Sequence, residues 1–177
     1  VDVPLFEMIA PALGEARALT QTKQVGVIGT RATIASGAYE KAAKKSAPEL
    51  KLVSVACPLF VPLVEEGMLA HPITRQVVEL YLAPLRGKID TLILGCTHYP
   101  LLKPLLKKAM GKGVMLVDSA QEVAREVKQL LEYTQQNRIS KTAPRHEFLV
   151  SDEPKHFSKL ARKFLGRAIH GAKRVTN

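Results

Sequence analysis

The feature that most narrows the fold of this chain is a series of short, almost wholly apolar runs, each closed by small or turn-forming residues. QVGVIG at 24–29, KLVSVA at 51–56, TLILG at 91–95 and the run at 114–117 have the length and β-branched content of buried strands. Helical sequence fills the gaps. One helix is expected over 34–45, one over 72–84 with apolar residues at Ile73, Val77, Leu80 and Leu85, and one from Pro100 through about 109. Strand, loop, helix, strand is the grammar of an α/β protein, so the expected fold is a doubly wound parallel sheet flanked by helices. In such a sheet ligands bind outside the carboxyl ends of the strands. That points to residues 30–33, 57–65 and 96–100. Beyond Asp118 the sequence predicts a long helix over 120–133, a polar loop over 135–144, a strand over 147–150 and a last helix over 153–165.

Composition removes several function classes. The formal net charge is +10, yet Lys41, Lys44, Lys45, Lys103, Lys107, Lys108 and Lys112 scatter over helix faces. With 5% aromatic residues and no Trp, they are not interleaved with stacking side chains. Solvated helix faces are favoured over nucleic-acid binding, and a basic binding module stays as the alternative from another class. The basic tail over 155–174 also holds Leu160, Phe164 and Leu165, the pattern of an amphipathic helix packed on something. Two cysteines do not make a disulfide framework in a chain of 177 residues. No apolar run approaches the roughly 18 residues of a membrane span, and no signal peptide is visible, so a cytoplasmic, membrane-free protein is expected. The sequence opens at Val1, without an initiator Met, inside an apparent strand over 3–6, and so reads as a piece of a longer protein.

Cys96 carries the most chemical information. It stands where a buried run stops, ahead of a helix start at Pro100, where backbone N–H groups and the helix dipole can lower a thiol pKa. His98 lies within reach to trade a proton with the sulfur, and Thr97 offers a hydroxyl and an amide to a carboxylate. Cys57 has the same strand-end placement, but Leu59, Phe60 and Val61 follow it, and it reads as a core cysteine. Glu65 and Glu66 precede Gly67, where a helper carboxylate and a plain helix end are both open. Thr30 and Thr33 could hold a substrate, or Thr33 could cap the helix expected from Ile34. No CxxC, HExxH, Gly-rich phosphate loop or Gly-x-Ser-x-Gly elbow occurs.

Taken together, VGVIGTRATIASGAYE (25–40), ACPLFVPLVEEG (56–67), LILGCTHYPLL (92–102), VDSAQEVA (117–124) and FLVSDEPKHF (148–157) resemble the glutamate racemases of the aspartate/glutamate racemase superfamily. The resemblance implies interconversion of L- and D-glutamate by two cysteines facing opposite sides of the α-carbon, with neither pyridoxal phosphate nor metal. By position, Cys96 matches the second catalytic cysteine, His98 its assisting acid/base and Glu65 a secondary catalytic carboxylate. Thr97, Thr30 and Thr33 match substrate-contacting hydroxyls. The family's Asp-Ser-Gly and Ala-Cys-Asn-Thr segments, the latter with the first catalytic cysteine, do not occur here. The resemblance therefore implies that residues 8–118 form the second α/β domain. Residues 1–7 and 119–177 would pack on an absent first domain, and the chain alone would be inactive. A homo-oligomer is expected, with glutamate as substrate and D-glutamate supplied to peptidoglycan. An aspartate racemase or a one-cysteine decarboxylase of the same superfamily is the enzymatic alternative.

Overall fold

The computed structural model describes residues 3–169 and 171–175. They form two compact units, 1–136 and 137–177. In the first, the four apolar runs become strands β1 (Gln24–Gly29), β2 (Lys51–Ala56), β3 (Thr91–Leu94) and β4 (Met115–Asp118) of one sheet in the order β2-β1-β3-β4. Every pairing is parallel, with Gly29 opposite Ala56, Ile28 opposite Leu94 and Leu94 opposite Asp118. This confirms the doubly wound α/β class. All four carboxyl ends lie along one edge of the sheet, and the chain reverses its winding direction between β1 and β3, the place where open sheets bind ligands.

The central strands β1 and β3 read as continuous apolar runs because both their faces are covered, while the edge strands β2 and β4 are only partly buried. Val25, Val27 and Ile93 face a core built with Ala12, Leu13, Ala16, Tyr39 and Ala43. Ile28, Leu92 and Leu94 face the opposite core with Phe60, Val64, Val78, Leu82, Tyr99 and Leu106. The first core is closed by α1 (Ile9–Leu19) and α3 (Ala38–Ser46), the second by α4 (Phe60–Glu65), α5 (Pro72–Leu82) and α6 (Lys103–Met110). Helix α7 (Ser119–Tyr133) packs against α1. Among the described residues, no helix is long and apolar enough to cross a membrane.

Several local expectations change. The helix expected over 34–45 is two, α2 (Arg31–Ala35) and α3, broken at Gly37, whose φ of +61° is a left-handed conformation that glycine reaches without steric penalty. Thr33 does not cap it: Thr30 is the N-cap, and its side chain accepts a hydrogen bond from the Thr33 N–H. In α5 the buried face is Thr74, Val78 and Leu82. Of the expected stripe, Leu85 is buried just beyond the helix and Val77 is half-buried against the core, while Ile73 and Leu80 are exposed. Thr74 is tolerated there because its hydroxyl donates to the Met68 carbonyl at 2.6 Å. Residues 3–6 form no strand: Val3, Leu5 and Phe6 are exposed, with no strand partner among the described residues. Lys103 is not a solvated helix-face lysine, because its Nζ lies 2.7 Å from the buried Asp118 carboxylate. The helix expected from Pro100 begins as a 3₁₀ turn, Tyr99–Leu102, and continues as α6.

In the second unit, β5 (Leu149–Val150) pairs in parallel with β6 (Lys173–Arg174), and α8 (Pro154–Leu165) lies between them in sequence. The expected polar stretch over 135–144 carries no helix or strand. Phe148 and Phe157 pack at 6.2 Å within this unit.

Candidate active site

Three segments reach the ligand-binding edge of the sheet. The first follows β1. Thr30 follows the last strand residue, Gly29, and caps α2, and the Thr30 and Thr33 hydroxyls are 2.9 Å apart and hydrogen-bonded. The substrate and capping readings of these threonines thus meet in one place, with Thr30 rather than Thr33 as cap.

The second follows β2. Cys57 is fully buried, and its thiol approaches the Val55 carbonyl at 3.7 Å. Burial pushes the thiol up to about 12. A thiol so placed stays neutral and inert, which supports the reading of Cys57 as a core residue. Helix α4 then turns back and ends at Glu65.

The third follows β3, and it holds the chemistry. Gly95 continues the ladder through its N–H to the Ile28 carbonyl at 2.8 Å. A side chain could not stand there. A Cβ on Gly95 would lie 2.9 Å from the Ile28 carbonyl oxygen and 3.2 Å from the Tyr39 hydroxyl. Cys96 comes next, half-buried, its sulfur 3.9 Å from His98 Nδ1. His98 Nε2 lies 2.9 Å from Glu65 Oε1, and the Thr97 hydroxyl lies 3.4 Å from His98 Nδ1. The structure therefore brings Cys96, Thr97, His98 and Glu65 into one chain of contacts, although Glu65 is remote in sequence. With Nε2–H donating to the carboxylate, Nδ1 faces the sulfur as an acceptor, the tautomer that takes a proton from a thiol.

The thiol itself departs from expectation. Burial raises the Cys96 pKa and is the largest influence, outweighing the lowering by the backbone N–H groups of His98 and Tyr99; the Glu65 charge also raises it. The strand-end N–H groups do act as expected, but desolvation wins. Proton transfer from Cys96 thus needs an adjacent base, and His98 is the group in reach.

A cavity of about 90 Å³ opens beside the sulfur, lined among others by Tyr39, Thr97, Asp118 and Ser119. Ser119 donates to the Leu94 carbonyl at 3.1 Å. The buried Tyr39 phenol is raised above its usual value, first by burial and against a hydrogen bond with Ser119. Sequence reading had not singled out Tyr39 or Ser119 as site residues, because neither adjoins a chemical motif. Among the described residues no cluster of three or more His, Cys, Asp or Glu could hold a metal.

A family model described as Asp/Glu/Hydantoin racemase matches residues 1–127. The chain is 45% identical to a glutamate racemase of Syntrophus aciditrophicus over 98% of its length, covering 64% of that protein. It is 43% identical to one of Streptococcus suis, covering 96% of this chain and 65% of the relative. The fold is similar to that of a glutamate racemase isoform from Bacillus anthracis, at a TM-score of 0.91 and 36% identity over 99% of this chain and 66% of that one. It is also similar to the glutamate racemase of Francisella tularensis solved in complex with D-glutamate, at a TM-score of 0.89 and 32% identity, over 99% of this chain and 65% of that one. The chain spans just under two thirds of the length of the curated relatives it matches. It belongs to the Asp/Glu/Hydantoin racemase family.

Proposed function

We propose that the intact protein interconverts L- and D-glutamate, with Cys96 as one of two thiol acid/base groups, His98 and Glu65 as its relay, and Thr97, Thr30 and Thr33 as substrate contacts. The observation that carries the reading is the line from the Cys96 sulfur through His98 to Glu65, at 3.9 and 2.9 Å, on the carboxyl edge of a parallel sheet. An α-proton is hard to remove without stabilising the carbanion that forms. The Cys96 thiolate, made by passing its proton to His98, accepts the α-proton on one face. The second cysteine, on the opposite face and in its neutral thiol form, gives its proton to the same carbon and becomes the thiolate, so the two sulfurs end with exchanged roles. The sequence relation to enzymes named glutamate racemases supports glutamate as the substrate. The reaction read this way draws on no cofactor.

The second thiol belongs, on this reading, to a first α/β domain outside the present sequence. Residues 8–118 form the second domain, and 1–7 with 119–177 pack on the first. This chain alone is then inactive. Exposed Val3, Leu5, Tyr133 and Ile139 fit surfaces covered in a larger assembly or in a homo-oligomer. The place of action would be the cytoplasm, feeding D-glutamate to the peptidoglycan. The test is chiral analysis of glutamate and aspartate incubated side by side with the intact protein. Turnover of glutamate alone supports the proposal. Turnover of aspartate alone, or release of carbon dioxide, replaces it with the sister activities.

A further inference from the structure

The carboxylate and the imidazole of the relay stand on segments that the sheet does not join. Glu65 follows β2 and His98 follows β3, and β1 lies between these strands. Their exits are thus two strand spacings apart, about 9.6 Å. The His98–Glu65 contact bridges that gap, but its side chains are 22% and 37% exposed. A partly solvated pair of this kind is worth little on its own and does not fix geometry.

Tyr99 bridges the same gap inside the protein. It is fully buried, and its hydroxyl donates to the Cys57 carbonyl at the exit of β2, at 2.9 Å. Its ring meets Phe60 edge-on, centroids 5.2 Å apart and planes at 82°. Phe60 opens α4, the helix that Glu65 closes. At its other end, the Tyr99 N–H donates to the Cys96 carbonyl at 3.1 Å. One residue therefore touches the cysteine's own turn, adjoins the histidine and grips the root of the helix that carries the carboxylate.

We propose that Tyr99 is the positioning residue that holds Cys96, His98 and Glu65 in line, by tying the exit of β3 to the exit of β2 through its hydroxyl. The proposal deepens the racemase reading but rests on geometry that can be tested without it. The titratable groups facing the sulfur are His98 and Glu65 on one side and Tyr39, Tyr99 and Asp118 around the turn and cavity. Tyr99 keeps its proton, since burial raises its pKa, and so stays a donor throughout.

The test compares Tyr99→Phe with Tyr81→Leu. Tyr81 packs edge-on against Phe60 at 5.4 Å and damages the same aromatic cluster without touching the Cys96 turn. In this chain, alkylation of Cys96 by iodoacetamide is followed against pH by peptide mapping, normalised to the complete alkylation of the same peptide after unfolding. Tyr99→Phe should move the midpoint of Cys96 alkylation upward by about half a pH unit, as the turn loosens and its N–H donors leave the sulfur. Tyr81→Leu should lower the melting temperature and leave the midpoint in place. Phe60→Leu keeps the phenol but loosens its grip on α4, and should shift the midpoint in the same direction as Tyr99→Phe. In the intact protein, Tyr99→Phe should lower kcat about tenfold with KM changed less than about twofold. A Tyr99→Phe chain that loses stability but keeps the wild-type alkylation profile overturns the proposal, as does one that changes nothing. If the intact protein racemises nothing, the alkylation arm still decides the role of Tyr99, and only the racemase reading falls.

Discussion

Gly95→Ala puts one methyl group against the strand end that presents Cys96. The added Cβ would stand 2.9 Å from the Ile28 carbonyl oxygen, a backbone atom that already accepts the Gly95 N–H at 2.8 Å. It would also meet Tyr39 Cε2 and the Tyr39 hydroxyl at 3.2 Å. Neither neighbour is the free end of a flexible chain. Tyr39 is buried and hydrogen-bonded to Ser119, and Ile28 sits in the centre of the sheet. Relief therefore requires β1 and β3 to part at their carboxyl ends by a few tenths of an ångström. Overpacking of this kind costs about 2 kcal/mol, or about 6 °C of melting temperature at roughly 3 °C per kcal/mol for a chain of this size. Gly14→Ala is the control, because nothing lies within 4 Å of its added Cβ and it sits in α1. That change should stabilise by about 0.8 kcal/mol through helix propensity. Thermal unfolding followed by circular dichroism reads both. A Gly95→Ala chain melting within about 1 °C of wild type would refute the close-approach argument, since that is under half a kcal/mol.

Cys57 favours its neutral form in the fold, with a pKa of about 12 against an ordinary 9.0, so its contribution is fully present below pH 9 and is lost as pH rises toward 12. Denaturant titrations of Cys57→Ser should accordingly show a flatter loss of stability over that alkaline range than wild type. Asp90 runs the other way. Burial raises its pKa, but hydrogen bonds from Thr20 and from the Thr22 and Gln21 segment outweigh that and hold it well below the carboxylate range. Its contribution is present above the ordinary value of 3.8 and lost as pH falls through the lower folded value. Asp90→Asn should cost about 1 kcal/mol at neutral pH, and the gap to wild type should close in acid. Glu65→Gln keeps a hydrogen-bond partner for His98 but removes the charge, and in the intact protein kcat for glutamate should fall at least about tenfold.

The sheet was legible because its central strands β1 and β3 are buried on both faces, so their sequences are bare apolar runs with no helical period; the half-buried edge strands β2 and β4 keep the same short apolar length. Cys96 and His98 were legible for the same reason, as polar residues placed abruptly where such a run ends. Helix α1 was not foreseen. IAPALGEARAL has a proline, a glycine and no side-chain cap of the usual kind. Its first N–H groups, those of Ile9 and Ala10, are taken instead by the Glu7 carboxylate at 2.6 and 2.7 Å. Ile73 and Leu80 were misplaced in α5 because Thr74 is buried and Leu80 exposed, an inversion of polarity that no periodicity reveals. Position alone left Glu65 open between a helper carboxylate and a plain helix end, and the resemblance singled it out. Its contact with His98 joins turns that follow strands not paired with each other, and local sequence cannot encode that distance. The Cys96 pKa ran opposite to the local signal because desolvation is a property of the packed core, not of the turn.

The most direct test of the central claim is exchange at the α-carbon. L-glutamate in heavy water is incubated with the intact protein, with its Cys96→Ser variant and with this chain alone, and α-deuteration is followed by proton NMR alongside chiral separation. The expected result is deuterated D- and L-glutamate with the intact protein, loss of racemisation by Cys96→Ser, and no exchange by the chain alone. Full racemisation by Cys96→Ser would contradict the assignment of Cys96 as an acid/base thiol, and racemisation by the chain alone would contradict the two-domain site.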